Sequence, residues 1–235
     1  MLENFSLPLL FAALIPAFIL LIYFVKSDRF PEPTHLIVKT FFWGFAIVVP
    51  ILIIVLPIQD LVTGLFSGVV LKSVAMAFIL AAIPEELFKY LVLKNYCAKQ
   101  TDFDEPMDGI VYGATVSLGF AALENVMYVI QGGMEVAVLR MFTAVPMHAA
   151  CGGVMGYFFS QSHFEGNQSQ RIKGLYAAII YHGLYNSGLF CAVNDVEQTG
   201  IGGLGVLFSI VVLIYLVVKV RSYVKELRAE QDQMV

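Results

Sequence analysis

Long apolar runs separated by short polar segments make up most of this chain of 235 residues. Several runs reach about 18 or more mostly apolar residues, the length that a helix needs to cross the hydrocarbon core of a bilayer. Segment 60–74 fits an outer loop, an interfacial helix or an early start to the third span. The pattern predicts seven transmembrane helices, at roughly residues 7–25, 36–57, 75–96, 109–130, 136–158, 172–193 and 203–220.

Composition points to the same class, because 59% of the residues are hydrophobic and only 14% are charged. Soluble domains carry about 25% charged residues. We therefore expect an all-α, polytopic integral membrane protein. The first apolar run lacks a preceding basic residue and a small-residue cleavage site, which favours a retained helix over a cleaved signal peptide. The cysteines have no metal-type spacing, and we interpret them as small apolar fillers: Cys97, Cys151 and Cys191.

The lysines and arginines alternate between the two sides of the predicted topology. Most fall in the loops on one side, whereas the loops on the other side hold only Lys72 and Arg140. The positive-inside rule then predicts an outer N-terminus and a cytoplasmic C-terminus. We expect a multi-pass protein of the cell inner (plasma) membrane. We expect one transmembrane domain over residues 1–235, with its motifs in a core at about 75–193. The tail at about 221–235 is predicted to be a solvated cytoplasmic helix end.

A small polar set interrupts the interiors of spans three to six. A charged side chain at the bilayer centre costs about 2.5–3.5 kcal/mol on insertion scales, so each one requires a reason. With a rise of about 1.5 Å per residue, the polar groups on these four spans fall into one layer. The common depth predicts one hydrated site formed by Glu85, Glu86, Lys89, Glu124, Asn125, His148, His182 and Asn186.

Local spacing assigns partners within this set. Lys89 lies four residues after Glu85 and three after Glu86, so it can pair with either carboxylate. One glutamate is then neutralised, and the other is free to act as a base. Pro84 precedes the pair and should kink the helix, because it lacks an N–H.

Structural interpretations compete with functional ones for some residues. Lys89 fits a role as a charge partner alone, and Asn125 fits an interhelical hydrogen bond. Two pairs of glycines fit close helix packing, Gly109 with Gly113 and Gly152 with Gly156.

Carboxylates, two histidines and an amide on neighbouring helices suit peptide hydrolysis. A glutamate can activate water, one histidine can assist proton transfer, and the second histidine with an asparagine can stabilise the oxyanion. We expect no cofactor, with zinc as the alternative, because His148, His182 and Glu124 would make a three-ligand site. The zinc motif His-Glu-x-x-His is absent. These residues are also compatible with a proton-coupled transporter or a noncatalytic membrane scaffold.

Four motifs follow one another on the successive predicted spans three to six: "PEELFK", "FAALEN", "HAACG" and "HGLYN". The loop segments "FPEP" and "FDEPMDGIVYG" accompany them. Over roughly residues 20–195, this set resembles the PrsW family of intramembrane proteases. That family belongs to a superfamily with the type II CAAX prenyl proteases and the bacteriocin-processing proteins. There a histidine often stands at the position of Glu124.

The resemblance implies an intramembrane peptidase with Glu85 as general base and Glu86 in support. It further implies that Glu124 and His148 organise water or substrate, while His182 with Asn186 stabilises the oxyanion. Such enzymes are commonly labelled metalloproteases, yet relatives are argued to depend on glutamate alone. The family name implies a membrane-anchored substrate such as an anti-sigma factor, cut near the outer membrane boundary. We expect contact with the lipid bilayer and no nucleic-acid partner; the residues leave the oligomeric state open.

Overall fold

The structure is a computed structural model that describes residues 6–197 and 199–234. Helices and short connections account for these residues, and no β-strand occurs among them, which confirms the all-α class. In chain order the α-helices are α1 Leu7–Ser27, α2 Thr34–Ala46, α3 Val48–Leu65, α4 Val69–Ala75, α5 Ile83–Asn95, α6 Pro106–Phe142, α7 Ala144–Glu165, α8 Gln168–Asn194 and α9 Ile201–Asp232. A π-helical segment, Met76–Ala82, joins α4 to α5, and a short 3₁₀ turn at Cys97–Lys99 follows α5.

Four helical stretches of the described residues are long and apolar enough to cross a membrane. The longest combines α6 and α7 over 60 residues, which at about 1.5 Å per residue far exceeds one bilayer crossing. The chain is therefore a multi-pass helical membrane protein. The four stretches are Leu7–Ser27, Thr34–Leu65, Pro106–Glu165 and Ile201–Asp232.

Several helix boundaries differ from the predicted spans, and at two of them stands a glycine with positive φ. Gly68 has a φ of 76° just before α4, so the helix that contains the third predicted span starts at Val69. Gly133 has a φ of 70° and interrupts α6, after which the chain runs as helix to Phe142. The segment at 134–142 thus precedes α7 instead of forming the start of the fifth span. Only glycine adopts such backbone angles without a steric cost.

Helix α6 forms the centre of the bundle and packs against α1, α2 and α7. Every residue from Met107 to Ala122 is buried, as expected for a helix that is surrounded by other helices. The predicted glycine contacts are confirmed. A Cβ atom added to Gly113 would lie 2.3 Å from the carbonyl oxygen of Gly152, and one added to Gly109 would lie 2.4 Å from that of Gly156.

The end of α9 packs on the bundle instead of projecting as a solvated tail. Leu227 and Gln231 are each only 1% exposed. Arg29, just after α1, pairs with Asp232 through a 3.0 Å contact. The ends of α1 and α9 therefore lie together at one end of the bundle.

We expect Gly113→Ala to lower thermal stability, because its new Cβ would overlap the backbone of Gly152. Overpacking of a core costs about 1–3 kcal/mol. Gly64→Ala is the matched control, since a Cβ at Gly64 meets no heavy atom within 4 Å. Thermal unfolding of the purified protein in detergent measures the difference, and equal melting temperatures for both variants would contradict the close contact of α6 with α7.

Candidate active site

The π-helical segment sets the direction of the two adjacent glutamates. Ile83 donates its backbone N–H to the carbonyl of Phe78, five residues back, and Pro84 has no N–H to offer. A π-helical turn inserts one extra residue and rotates the following helix, and such turns are frequent at functional sites. The rotation places Glu85 and Glu86 on the interior side of α5, where they are 6% and 0% exposed.

Lys89 connects α5 to α7. Its Nζ donates to Glu86 Oε1 at 2.7 Å and lies 3.1 Å from His148 Nδ1. The same ammonium lies 3.6 Å from Glu85 Oε2 and 4.3 Å from the centre of the Phe120 ring. Since Lys89 is 1% exposed, these contacts replace its hydration. Lys89 therefore pairs chiefly with Glu86.

Helix α8 contributes His182 and Asn186 to the same cluster. His182 Nδ1 lies 2.8 Å from Glu86 Oε1, and its Nε2 lies 2.9 Å from Asn186 Nδ2. The rings of His182 and His148 meet edge to face, with centroids 5.0 Å apart. Side chains from α5, α7 and α8 thus meet around one carboxylate.

Helix α6 closes the cluster with Glu124 and Asn125. Glu124 Oε2 lies 3.0 Å from His148 Nε2 and also accepts a hydrogen bond from Arg140 Nη2. Arg140 Nε donates to Asn125 Oδ1 at 2.8 Å, and Asn125 Nδ2 donates to the carbonyl of Ala13 at 2.7 Å. Asn125 therefore forms the interhelical hydrogen bond that its structural interpretation predicted. Glu124 contacts His148 directly.

The hydrogen-bond partners assign the tautomers of both histidines. His148 Nδ1 accepts from Lys89, so its Nε2–H donates to Glu124. His182 Nδ1–H donates to Glu86, and its Nε2 accepts from Asn186. With both rings neutral, Lys89 is the counter-ion of Glu86, and Arg140 is the counter-ion of Glu124.

Glu85 is the carboxyl group left without a cation of its own. Its Oε2 lies 3.6 Å from Lys89 Nζ and 3.9 Å from His182 Nε2. This oxygen is buried and accepts no hydrogen bond from the described residues.

The site has an accessible edge. Glu124 keeps 16% of its side chain exposed, and Asn186 is half-buried. Glu86, His148 and His182 are almost completely buried behind them. Glu124 and Asn186 are therefore among the most accessible members of the cluster.

A metal ion of the zinc type is compatible with the donors present. One ligand atom from each of four residues lies within 4.8 Å of the others: Glu85, Glu86, His148 and His182. Two imidazoles with carboxylates are a donor set that zinc accepts. The sequence-based zinc set differs, since Glu124 lies outside this group and bonds to His148 Nε2. A bound metal would have to displace Lys89 from His148 Nδ1, or Asn186 from His182 Nε2.

The structure brings together the whole polar set that the sequence singled out, and it adds Arg140. From the sequence alone, Arg140 counted as a charge of an outer loop. Two features point to it: in the predicted topology it is one of only two cations on the outer side, and Gly133 precedes it closely enough to turn the chain back. Its contact with the Tyr128 ring, 4.1 Å from the centroid, further fixes the guanidinium.

Comparison with known proteins places this geometry in a family. A family model described as PrsW family intramembrane metalloprotease matches residues 32–218. The chain belongs to the PrsW family. Proteins named Protease PrsW are similar to this PrsW-family chain. This similarity confirms the expected enzyme class, an intramembrane protease, and disfavours the transporter and scaffold alternatives.

Three of these relatives illustrate the extent of the match. The relative from Geobacillus kaustophilus (strain HTA426) is 36% identical over 183 residues, covering 76% of this chain and 78% of the relative. That from Bacillus subtilis (strain 168) is 35% identical over 182 residues, covering 74% and 79%. That from Clostridioides difficile (strain 630) is 30% identical over 190 residues, covering 77% and 79%. No solved structure matches the chain.

We expect Arg140→Met to lower both thermal stability and proteolysis in this PrsW-family enzyme, because Glu124 would lose its counter-ion. Removing one partner of a buried pair costs about 3–5 kcal/mol, and less for a pair that is partly exposed, as this one is. Arg140→Lys should have an intermediate effect, because it keeps the charge but loses the Nε contact with Asn125.

Melting temperature and cleavage of a single-span reporter protein measure these effects. Arg221→Met, at an exposed arginine on α9, is the control for loss of a positive charge. If Arg140→Met behaved like Arg221→Met in both measurements, the assigned role of Arg140 would be wrong.

Proposed function

We propose that the chain hydrolyses peptide bonds of membrane-anchored proteins with water activated by Glu85. The observation that supports this most directly is the difference between the two adjacent glutamates. Oε2 of each glutamate accepts no hydrogen bond from the described residues, but Glu86 is anchored through Oε1 by Lys89 and His182 at 2.7 and 2.8 Å. Glu85 has no such anchor and is 6% exposed, whereas Glu86 is 0% exposed. A general base needs a free lone pair within reach of the water that it deprotonates.

The proposed reaction uses Glu85 twice. Glu85 takes a proton from water as the water oxygen attacks the carbonyl carbon of the scissile peptide bond. The tetrahedral intermediate then collapses, the C–N bond breaks, and Glu85 returns the proton to the leaving amine. The Lys89 ammonium, 3.6 Å from Glu85, favours the negative charge that Glu85 carries at the start.

The remaining residues hold and complement this centre. Asn186 donates one amide hydrogen to His182, and its second amide hydrogen is available to the developing oxyanion. His182, fixed by Glu86, positions Asn186 and does not itself keep a free N–H. On the other side of Lys89, His148 holds Glu124, whose partly exposed carboxylate would organise the substrate backbone.

A zinc-dependent reaction is the second candidate. Two observations favour it: the description of the family as metalloproteases, and the four donor atoms within 4.8 Å of one another. His148 and His182 with Glu85 or Glu86 would hold the ion. Bound zinc would polarise the substrate carbonyl and lower the pKa of its water ligand.

We further propose seven membrane crossings with the N-terminus outside and the C-terminus in the cytoplasm of the inner (plasma) membrane. Joined helices support this count: α2 with α3, and α4 with α5 through the π-helical segment. Lys89 and Arg140 belong to the site and are not loop charges. Lys72 is then the one cation left in the predicted outer loops, which strengthens the charge difference between the outer and the cytoplasmic loops.

The substrate would be a single-span protein such as an anti-sigma factor, cut near the outer boundary. The whole chain would form one protease domain.

We expect Glu85→Gln to reduce cleavage at least about 10²-fold, the lower range for loss of an acid–base group. Its melting temperature should stay close to that of the unchanged protein, because Glu85 Oε2 makes no hydrogen bond that the substitution would remove. Glu135→Gln removes an exposed carboxylate of the neighbouring segment and serves as control. Co-expression with a panel of single-span proteins measures cleavage; full activity of Glu85→Gln would refute the assignment.

Metal content separates the two candidate mechanisms. The glutamate mechanism predicts that purified active protein contains much less than one zinc per chain and keeps its activity after treatment with a membrane-compatible chelator. One tightly held zinc per chain, with activity lost on its removal and restored by zinc, would establish the second candidate instead.

A further inference from the structure

A second cluster of carboxyl groups lies at the opposite end of α6 from the candidate active site. Asp28 directly follows α1, Glu105 precedes α6, and Asp108 lies in the first turn of α6. One carboxylate oxygen from each of the three lies within 4.8 Å of the others. Asp28 and Asp108 are 5% and 0% exposed.

Two oxygens of this cluster are buried and accept no hydrogen bond from the described residues: Asp28 Oδ2 and Asp108 Oδ1. The other carboxylate oxygen of each aspartate accepts two hydrogen bonds. Asp108 Oδ2 accepts from the backbone N–H groups of Asp104 and Glu105, each at 2.8 Å. Asp28 Oδ1 accepts from Phe30 N and Gln231 Nε2 at 2.9 and 2.7 Å. Each aspartate is therefore held rigidly by one oxygen while the other oxygen is left without a donor.

The cluster also lacks a cationic side chain. None of the salt bridges within the described part of the chain involves Asp28, Glu105 or Asp108. The nearby arginines, Arg29 and Arg228, contact Asp232 instead, at 3.0 and 3.7 Å.

Of the neighbouring polar groups, Glu32 adds a further carboxyl, whereas Gln231 supplies hydrogen-bond donors. Glu32, 8% exposed, accepts a hydrogen bond from Tyr112. Gln231 donates from its amide nitrogen to both Asp28 and Glu105, and its oxygen accepts from the backbone N–H of Arg29 at 3.1 Å. The amide is thereby oriented with its nitrogen towards the carboxylates. Buried carboxylates without a cation are costly unless a counter-ion or a proton is supplied.

We propose that Asp28, Glu105 and Asp108 form a site for a hard divalent cation, which ties the end of α1 to the start of α6. Ca²⁺ and Mg²⁺ bind carboxylate oxygens in preference to other ligands. Two oxygens on opposite sides of a Ca²⁺ ion are about 4.6–5.2 Å apart, which accommodates the observed spacing. Mg²⁺ would need the oxygens to approach to about 4.2 Å or less.

A surface cavity reaches one member of the cluster, Asp28. The cavity has a volume of about 750 Å³ and runs between the end of α1 and the last turns of α9. Its wall includes Lys26, Arg29 and Arg228. None of these cations forms a salt bridge with the cluster among the described residues, so they do not neutralise its carboxylates.

The test is cation binding by the full-length protein in detergent, after treatment with a chelator. The site predicts saturable binding of one Ca²⁺ per chain by calorimetry, with Mg²⁺ as a weaker competitor. Ca²⁺ well above its Kd should raise the melting temperature by about 5 °C. Tb³⁺, a Ca²⁺ substitute, should show luminescence sensitised by nearby tyrosine, since Tyr112 contacts the cluster through Glu32.

Variants assign the binding to this cluster. Asp108→Asn keeps an oxygen for the two backbone hydrogen bonds, and it should weaken Ca²⁺ binding at least tenfold. Asp28→Asn is the second variant, should Asp108→Asn fail to fold. Glu230→Gln removes an exposed carboxylate next to Gln231 and should bind Ca²⁺ like the unchanged protein.

Two outcomes would overturn the proposal. One is the absence of saturable Ca²⁺ or Mg²⁺ binding by the unchanged protein, with Asp108→Asn more stable, which would show that the carboxyl groups share protons instead. The other is binding that Asp108→Asn and Asp28→Asn leave unaltered. Neither outcome depends on proteolysis, so the proposed function is tested separately.

Discussion

The buried ammonium of Lys89 is the interaction on which the candidate active site depends. It lies 2.7 Å from Glu86 and 3.1 Å from His148, and it is almost completely removed from solvent. A lone charge in this position would be strongly unfavourable, so Lys89 is retained only while its partners surround it. Those partners come from α5 and α7, and Glu86 in turn holds His182 on α8. One charge thus fixes the relative positions of three helices, while Glu85 lies 3.6 Å from the same ammonium with no hydrogen bond to its Oε2 from the described residues.

The helix packing around the site makes this arrangement rigid. Glycines let α6 and α7 approach until backbone meets backbone, as at Gly113 and Gly152. The close contact fixes the helices that carry Glu124 and His148 relative to each other. The π-helical segment before Pro84 then rotates the glutamates of α5 towards them. Rigid support of this kind is what a pre-organised catalytic centre requires, because small displacements of reacting groups cost much of the rate.

Much of this site is predictable from the sequence, since polar residues inside apolar helices are few and expensive. Helical spacing correctly limited the carboxylate partners of Lys89 to Glu85 and Glu86. Only the tertiary contact with His182 shows that Glu86 is the glutamate fixed by hydrogen bonds. Asn125 and the glycine pairs also fulfilled the roles that spacing suggested.

Other features depend on backbone turns and long-range contacts that periodicity does not encode. Arg140 reaches Glu124 only because Gly133 adopts a positive φ and turns the chain back. The tail of α9 was expected to be solvated, yet Gln231 is buried against residues about 200 and 126 positions earlier. Of its two carboxylate partners, Glu105 lies in the loop segment "FDEPMDG" and Asp28 lies just before "FPEP", but nothing in their spacing shows that they meet.

A double-mutant cycle between Glu86 and Lys89 tests the central role of the buried ion pair most directly. Unfolding free energies of Lys89→Met, Glu86→Gln and the double variant would be compared with that of the unchanged protein. Each single change should cost about 3–5 kcal/mol, because it leaves a buried charge unpaired, and the double change should cost clearly less than their sum. Losses that simply add would show that Lys89 and Glu86 act independently, and this would contradict the account.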